Sequence, residues 1–348
     1  MMNAIGNKTV LVTGGTGFVG AHCILQLLQK GYRVKTTLRS AKRKDEVMSM
    51  LRYGGITSFE NLSFIEADLT SDRNWDEAAA GCDYVLHVAS PIFLRIPEHE
   101  NEMIVPAVEG TIRVLRAAKK TGVSRVVLTS SFGAVGYSHH DPETMITEED
   151  WTDPNNKSLS AYLKSKTLAE KAAWDFMAKE GGDMELSVIN PMAILGPSLG
   201  PDMSSGFELL KRVMNGSMKA VPNIMLGIVD VRDVADLHIR AMTDPMAKGQ
   251  RFLALAGGVM SLPEIAKLIK NKMGNDARNI STRVLPDWIV RLAALFSPTA
   301  KILAPQVGRS KNASNKKARE LLGWAPRPNE EAILATAHSL VAFGQLTK

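Results

Sequence analysis

Residues 9–29 read TVLVTGGTGFVGAHCILQLLQ, and their reading decides the fold. The stretch is uncharged over a length that could cross a membrane, but Gly14, Gly15, Gly17 and Gly20 interrupt it. Each glycine costs a helix interior about 1 kcal/mol, so a strand from Thr9, a sharp turn and a helix account for it better than a span. On that helix Val19, Cys23, Ile24, Leu27 and Leu28 keep one apolar face. Gly14, Gly17 and Gly20 fall in the strand-to-helix turn. There the backbone must reverse tightly, approach an anion without a Cβ in the way and let the helix pack on the strand, while the helix N-terminus offers free N–H groups. A dinucleotide pyrophosphate meets that demand, with Gly14, Thr16, Gly17, Phe18 and Val19 as candidate contacts.

Outward from this turn, short β-branched runs alternate with longer helical patterns, the sign of a parallel sheet with crossover helices. YRVKTTL from Tyr32, LSFIEADL from Leu62, YVLHVAS from Tyr84, RVVLTSS from Arg125 and LSVINP from Leu186 supply five further strands. Between them lie the helical segments DEVMSML, NWDEAAAG, VPAVEGTIRVLRAAKKTG and AYLKSKTLAEKAAWDFMAKE. Six strands with intervening helices make an α/β fold with a doubly wound parallel sheet, the Rossmann architecture. After Pro191 the rhythm breaks into a Gly-, Pro- and Ser-rich loop, the helix FELLKRVMNG and a candidate seventh strand, FLALAG, from Phe252. SLPEIAKLIKNKMG reads as a helix capped by Ser261, and NEEAILATAHSLVAFG as an amphipathic closing helix behind an Asn329 cap. The expected division is a dinucleotide-binding unit over 1–190, to which 222–257 returns, and a smaller, discontinuous C-terminal substrate-binding region over 191–221 and 258–348.

With 45% hydrophobic and 22% charged residues, the 348-residue chain has an ordinary globular composition, which excludes a disordered or collagen-like protein. Cys23 and Cys82 both sit in apolar runs, so buried free thiols and a reducing compartment are expected. The N-terminal residues lack the pattern of a secretory signal, which points to a cytoplasmic protein. The net charge of +6 is spread thinly, and its clusters at 39–44 and 311–319 are not interleaved with aromatics, so neither nucleic acid nor membrane is an expected partner. The pair His139–His140 has no cysteine or carboxylate cluster at ligand spacing, and no metal is expected.

At the end of the second strand an NAD enzyme offers a carboxylate to the ribose, whereas an NADP enzyme offers a cation to the 2′-phosphate. This strand ends TTLRSAKRK, without an acid, so NADP(H) is the inferred cofactor, with Arg39 and Lys44 as candidate contacts. Asp68 and Leu69, at the end of the third strand, fall where the adenine edge would be read. Farther along, AYLKSK sets Tyr162 and Lys166 four apart on one helix face. A phenol of pKa ~10 is a poor acid near neutrality, and an ammonium beside it stabilises the phenolate. A serine at the end of the fifth strand, Ser130 or Ser131, could bond the same substrate oxygen.

Together TGGTGFVG, VLHVASP, VVLTSS, YLKSK with KTLAE, INPMAILGP, VDVRDVAD and ARELLGWAPR resemble the extended short-chain dehydrogenase/reductases over nearly the whole chain. HVASP, RSAKRK and NPMAILGP are similar to the dihydroflavonol reductase and cinnamoyl-CoA reductase branch, and TSSFGAVGY, ITEEDWTDP and KTLAEKAAWDF to its microbial NADPH-dependent aldehyde and ketone reductases. The resemblance implies Tyr162 as proton donor to a carbonyl oxygen, Lys166 on the nicotinamide ribose, and Ser131 orienting the carbonyl. It implies further cofactor contacts at Val88, Ala89, Ser90, Pro191 and Ser205. Phe93, Phe132, Tyr137, His139, Met192 and Phe207 are candidate pocket residues for a hydrophobic or aryl carbonyl compound. Sugar-nucleotide epimerases or dehydratases and hydroxysteroid dehydrogenases use the same triad, and a non-catalytic dinucleotide sensor would generally lack it. A monomer or a homodimer fits the sequence equally.

Overall fold

The computed structural model describes residues 8–91, 97–139, 141, 143–202, 204–296, 304 and 307–346, with the Ser205 side chain left out. Its central sheet has seven strands: β1 (Thr9–Val12), β2 (Arg33–Leu38), β3 (Leu62–Glu66), β4 (Tyr84–His87), β5 (Arg125–Thr129), β6 (Glu185–Pro191) and an edge strand from the second half, Arg251–Ala254. That edge strand pairs with β6, and Arg251 lies opposite Val188. Every pairing is parallel. Across the sheet the order is edge strand, β6, β5, β4, β1, β2, β3. After β1 the chain first builds outward through β2 and β3, then crosses to the other side at β4. A crevice therefore opens at the carboxyl ends of β1 and β4, where such sheets bind their ligands.

β1 is apolar on both faces because both are covered. Val10 and Val12 enter one core with α1 (Phe18–Gln29), while Leu11 enters the other with Val114 and Phe176. The second core is walled by two 20-residue helices. Taking the helices in chain order, α2 is Lys44–Tyr53, α3 Trp75–Ala79, α4 Asn101–Lys120 and α5 Ala161–Glu180. Beyond β6 come short strands, β7 (Ala193–Leu195), β8 (Val221–Pro222), β9 (Met225–Leu226) and β10 (Ile228–Asp230), of which β7 falls in the stretch expected to be loop. They are interleaved with α6 (Glu208–Met214) and followed by α7 (Val231–Thr243), which packs beside α1 over the first core. The edge strand is thus β11, followed by β12 (Met260–Ser261), α8 (Leu262–Lys272), β13 (Val284–Leu285), α9 (Asp287–Ala293), α10 (Lys316–Leu322) and α11 (Asn329–Ala342).

A third core joins Phe207, Leu210, Ile265, Ile269, Ile333 and Leu340 from α6, α8, α11 and the turn before α6. Ser261 caps α8 as expected, in a reciprocal capping box with Glu264. Asn329 does not cap α11. It is the first helical residue after Pro328, and its amide donates to the Gly257 carbonyl at 3.1 Å. Cys23 and Cys82 are buried free thiols, the former fully so. Among the described residues no helix is long and apolar enough to cross a membrane.

Trp324, 1% exposed, fills the first core and donates Nε1–H to the Asp233 carbonyl at 3.0 Å. Trp324→Ala is expected to cost about 3–5 kcal/mol, read as a lower urea midpoint. Trp288→Ala on the exposed face of α9 should stay within about 0.5 kcal/mol of the parent.

Candidate active site

The turn after β1 shows why glycine is required there. Gly14 has φ +75°, and a Cβ on it would lie 3.0 Å from the Ala89 Cβ. A Cβ on Gly20 would lie 2.3 Å from the Gly14 carbonyl oxygen, so α1 could not begin so close to the strand. Gly17 occupies the N-cap of α1 and brings no side chain to its first-turn N–H groups, which are left for an anion.

Thr13 fixes the neighbouring loop. Its hydroxyl accepts from the Val88 N–H at 3.0 Å and the Ala89 N–H at 2.9 Å. Its one proton then points to His87 Nδ1, 2.9 Å away. His87 is therefore neutral and carries its proton on Nε2. Burial, with the Lys166 charge adding to it, pushes its pKa down to about 3.

Beyond β2, Arg39 is exposed. Arg43, its neighbour in the basic turn, is already engaged by Glu46 at 2.7 Å and Asp202 at 2.9 Å. Lys44 is also exposed, with its ammonium 5.3 Å from the Phe64 ring centroid. Asp68 is held below the usual carboxylate range, chiefly by the Thr70 N–H, with the Thr70 hydroxyl, Arg39 and Arg113 adding to it. Leu69 is buried beneath α4, where Gly110 leaves room for it.

Ser160 caps α5 through the Leu163 N–H, and the first two turns carry Tyr162 and Lys166. The Tyr162 side chain is open to solvent, with the residue 48% exposed. The Lys166 ammonium lies 6.0 Å from the Tyr162 ring centroid and donates to Ser90 Oγ at 2.9 Å. The serine doublet divides. Ser130, 6% exposed, donates to the buried Glu170 carboxylate, whereas Ser131 is half-buried and accepts from the Gly133 N–H at 3.0 Å. Gly133 lets the turn over 132–134 meet α5, since a Cβ there would fall 2.7 Å from Leu163 Cδ2.

Tyr137, half-buried, approaches this group. Burial and the nearby Tyr162 raise its phenol pKa. Lys311 sits 5.4 Å from the Tyr137 ring centroid. His139 Nε2 lies 2.9 Å from Asp150 Oδ1. Met192 is half-buried beside Gly227, and Pro191 ends β6 in the interior. Two expected pocket residues are buried among apolar neighbours. Phe207, 1% exposed, packs edge-on against Phe18 with centroids 4.9 Å apart. Phe132 is buried with Val135, Ile146 and Leu253. Phe93 lies outside the described residues, and Ser205 falls in a short turn before α6. Thr13, Glu170, Asn190 and Arg251 were not singled out from the sequence. Glu170 had a signal, a carboxylate four residues after Lys166 on the same helix face.

The family model for the NAD dependent epimerase/dehydratase family matches residues 10–254, which carry the turn, the sheet, Ser131, Tyr162 and Lys166. The chain belongs to that family, the extended short-chain dehydrogenase/reductases. Within it, the chain is 37% identical over 350 residues to cinnamoyl-CoA reductase 1 of Petunia hybrida, covering 99% of this chain and 96% of that one. It is also 37% identical over 283 residues to a putative NADPH-dependent methylglyoxal reductase of Candida albicans, GRP2, covering 76% of this chain and 82% of that one. The crystal structure of yeast methylglyoxal/isovaleraldehyde reductase Gre2 complexed with NADPH matches with a TM-score of 0.80 at 26% identity, covering 97% of this chain and 100% of that one. This extended short-chain dehydrogenase/reductase is an NAD(P)-dependent oxidoreductase.

Gly14→Ala tests the turn. Strain at positive φ and the contact with Ala89 are expected to weaken dinucleotide binding by about tenfold or more, measured by the fluorescence of the bound reduced nucleotide.

Proposed function

We propose that the protein is a carbonyl reductase that converts a hydrophobic or aryl aldehyde or ketone to the alcohol, with Tyr162 as proton donor and NADP(H) as cofactor. The observation that carries this reading is the side-by-side placement of the exposed Tyr162 ring and the Lys166 ammonium, one helical turn apart, with that ammonium tied to Ser90 on the dinucleotide side. The site fits the cofactor: the uncapped start of α1 would take the pyrophosphate, Arg39 the 2′-phosphate, and Lys166 the nicotinamide ribose. When bound, the reduced nicotinamide supplies a hydride.

The residues do the rest. Tyr162 would hand its phenolic proton to the substrate oxygen, and Lys166, held by Ser90, stands beside the ring. Ser131 holds that oxygen by a hydrogen bond, a task unavailable to Ser130, whose proton is committed to Glu170. Tyr137 and Met192 give the neighbouring surface an apolar character suited to an alkyl or aryl substituent. The similar proteins named above include reductases of methylglyoxal and isovaleraldehyde, which supports a carbonyl substrate.

The test is NADPH oxidation across aryl and aliphatic aldehydes, α-diketones and β-ketoesters, with NADH in parallel. Turnover is expected to favour NADPH, and Tyr162→Phe should lower kcat by about 100-fold or more. Arg39→Ala should raise KM for NADPH and leave KM for NADH nearly unchanged. Retention of most activity by a folded Tyr162→Phe would exclude it as the proton donor. Thermal stabilisation by UDP-sugars without turnover of any carbonyl would shift the reading to sugar-nucleotide chemistry.

A further inference from the structure

Tyr162, Lys166 and Glu170 succeed one another at four-residue spacing along one face of α5, and the third of them is fully buried. A carboxylate in a dry core is costly unless every lone pair is met, and here four donors converge on it. Arg251 Nε approaches Oε1 at 2.6 Å and Trp174 Nε1 at 3.4 Å. Ser130 Oγ approaches Oε2 at 2.5 Å and the Asn190 amide at 2.6 Å. These donors come from three different strands or strand ends, β5, β6 and β11, as well as from α5 itself. The Asn190 amide also donates to the Ser131 carbonyl at 3.2 Å, so Oε2 holds the Ser130 hydroxyl directly and is linked to the Ser131 carbonyl through Asn190. On the opposite side, Arg251 reaches the Glu148 and Asp150 carbonyls at 2.8 Å each, and its guanidinium stacks 3.8 Å from the Trp151 ring centroid.

We infer that Glu170 is a positioning residue: by clamping Ser130 and Asn190 to α5 it sets Ser131 at a fixed distance from Tyr162. The inference rests on the catalytic reading given above. α5 cannot slide or turn against the end of β5 without stripping charge-assisted hydrogen bonds from a buried carboxylate. A glutamine at this position keeps one acceptor oxygen and turns an NH2 toward two of the four donors. The clamp would open on the Ser130 and Asn190 side or on the Arg251 side, and the Ser131 hydroxyl would lose its set position.

The test is a double-mutant cycle with Ser131→Ala, run with Tyr162→Phe alongside. Glu170→Gln is expected to lower kcat by about tenfold while the NADPH dissociation constant stays within about twofold. In the Ser131→Ala background the same substitution should change kcat by less than about twofold, because the group it positions is already gone. An equal loss in both backgrounds, tracking a lower melting temperature, would mean that Glu170 only holds the fold together, and the inference would fall. Full turnover by Ser131→Ala and Tyr162→Phe would instead remove the catalytic reading, and this inference with it. If Glu170→Gln does not fold, Ser130→Ala cuts a single strand of the clamp and keeps the charge. It should lower kcat by about threefold, an effect that vanishes without Ser131; equal effects with and without Ser131 would overturn the inference.

Discussion

The Thr13 hydroxyl is the joint on which the site hangs. It sits at the carboxyl end of β1, where the strand order reverses, and holds the backbone of residues 88 and 89 at the end of β4. That hold brings Ala89 against Gly14, which accounts for the missing Cβ in the turn. One residue further on, Ser90 receives the Lys166 ammonium and thereby ties α5 to the crevice. A single hydroxyl thus relates the glycine turn after β1, the end of β4 and the lysine beside Tyr162. The His87 imidazole that faces this hydroxyl is kept uncharged by burial, with the Lys166 charge adding to it.

Most of this frame was legible in the sequence, and for physical reasons. The strand, turn and helix of residues 9–29 follow from glycine and apolar spacing, which are local properties. The helix around AYLKSKTLAEKAAWDFMAKE is legible because its helix-forming composition is local, and Ser160 just before it caps α5. The short strands after Pro191 were not legible, since strands of two or three residues such as β8, β9 and β10 carry no alternation to detect. Asn329 looked like a cap because its residue type suits one, yet its amide is used by Gly257, 72 residues away.

The site divides along the same line. The spacing of Tyr162 and Lys166 is set by one helix and could be read directly. Which serine of the doublet faces outward depends on Glu170 and Asn190, and no local pattern connects them. Phe132 and Phe207, expected at the pocket, lie buried among apolar neighbours. An aromatic residue after a strand end suits a pocket and a core equally, and only packing partners such as Phe18 decide between them. Arg43 was one of several equivalent cations in the sequence, but its ion pairs to Glu46 and Asp202 set it apart from Arg39.

The placement of β11 has a consequence for biosynthesis. The sheet is completed by residues 251–254, so roughly three quarters of the chain must leave the ribosome before β6 gains its outer neighbour. Until then β6 presents an open edge, which can pair with another nascent chain. Arg251 arrives on that same strand, so the charge that balances Glu170 is also absent. Burial of α5 against the strand ends therefore carries an unpaired carboxylate up to that moment. Closure of the sheet and completion of the ion pair beneath Tyr162 and Lys166 are in this way one late event in the life of the polypeptide, and a truncated product would hold neither.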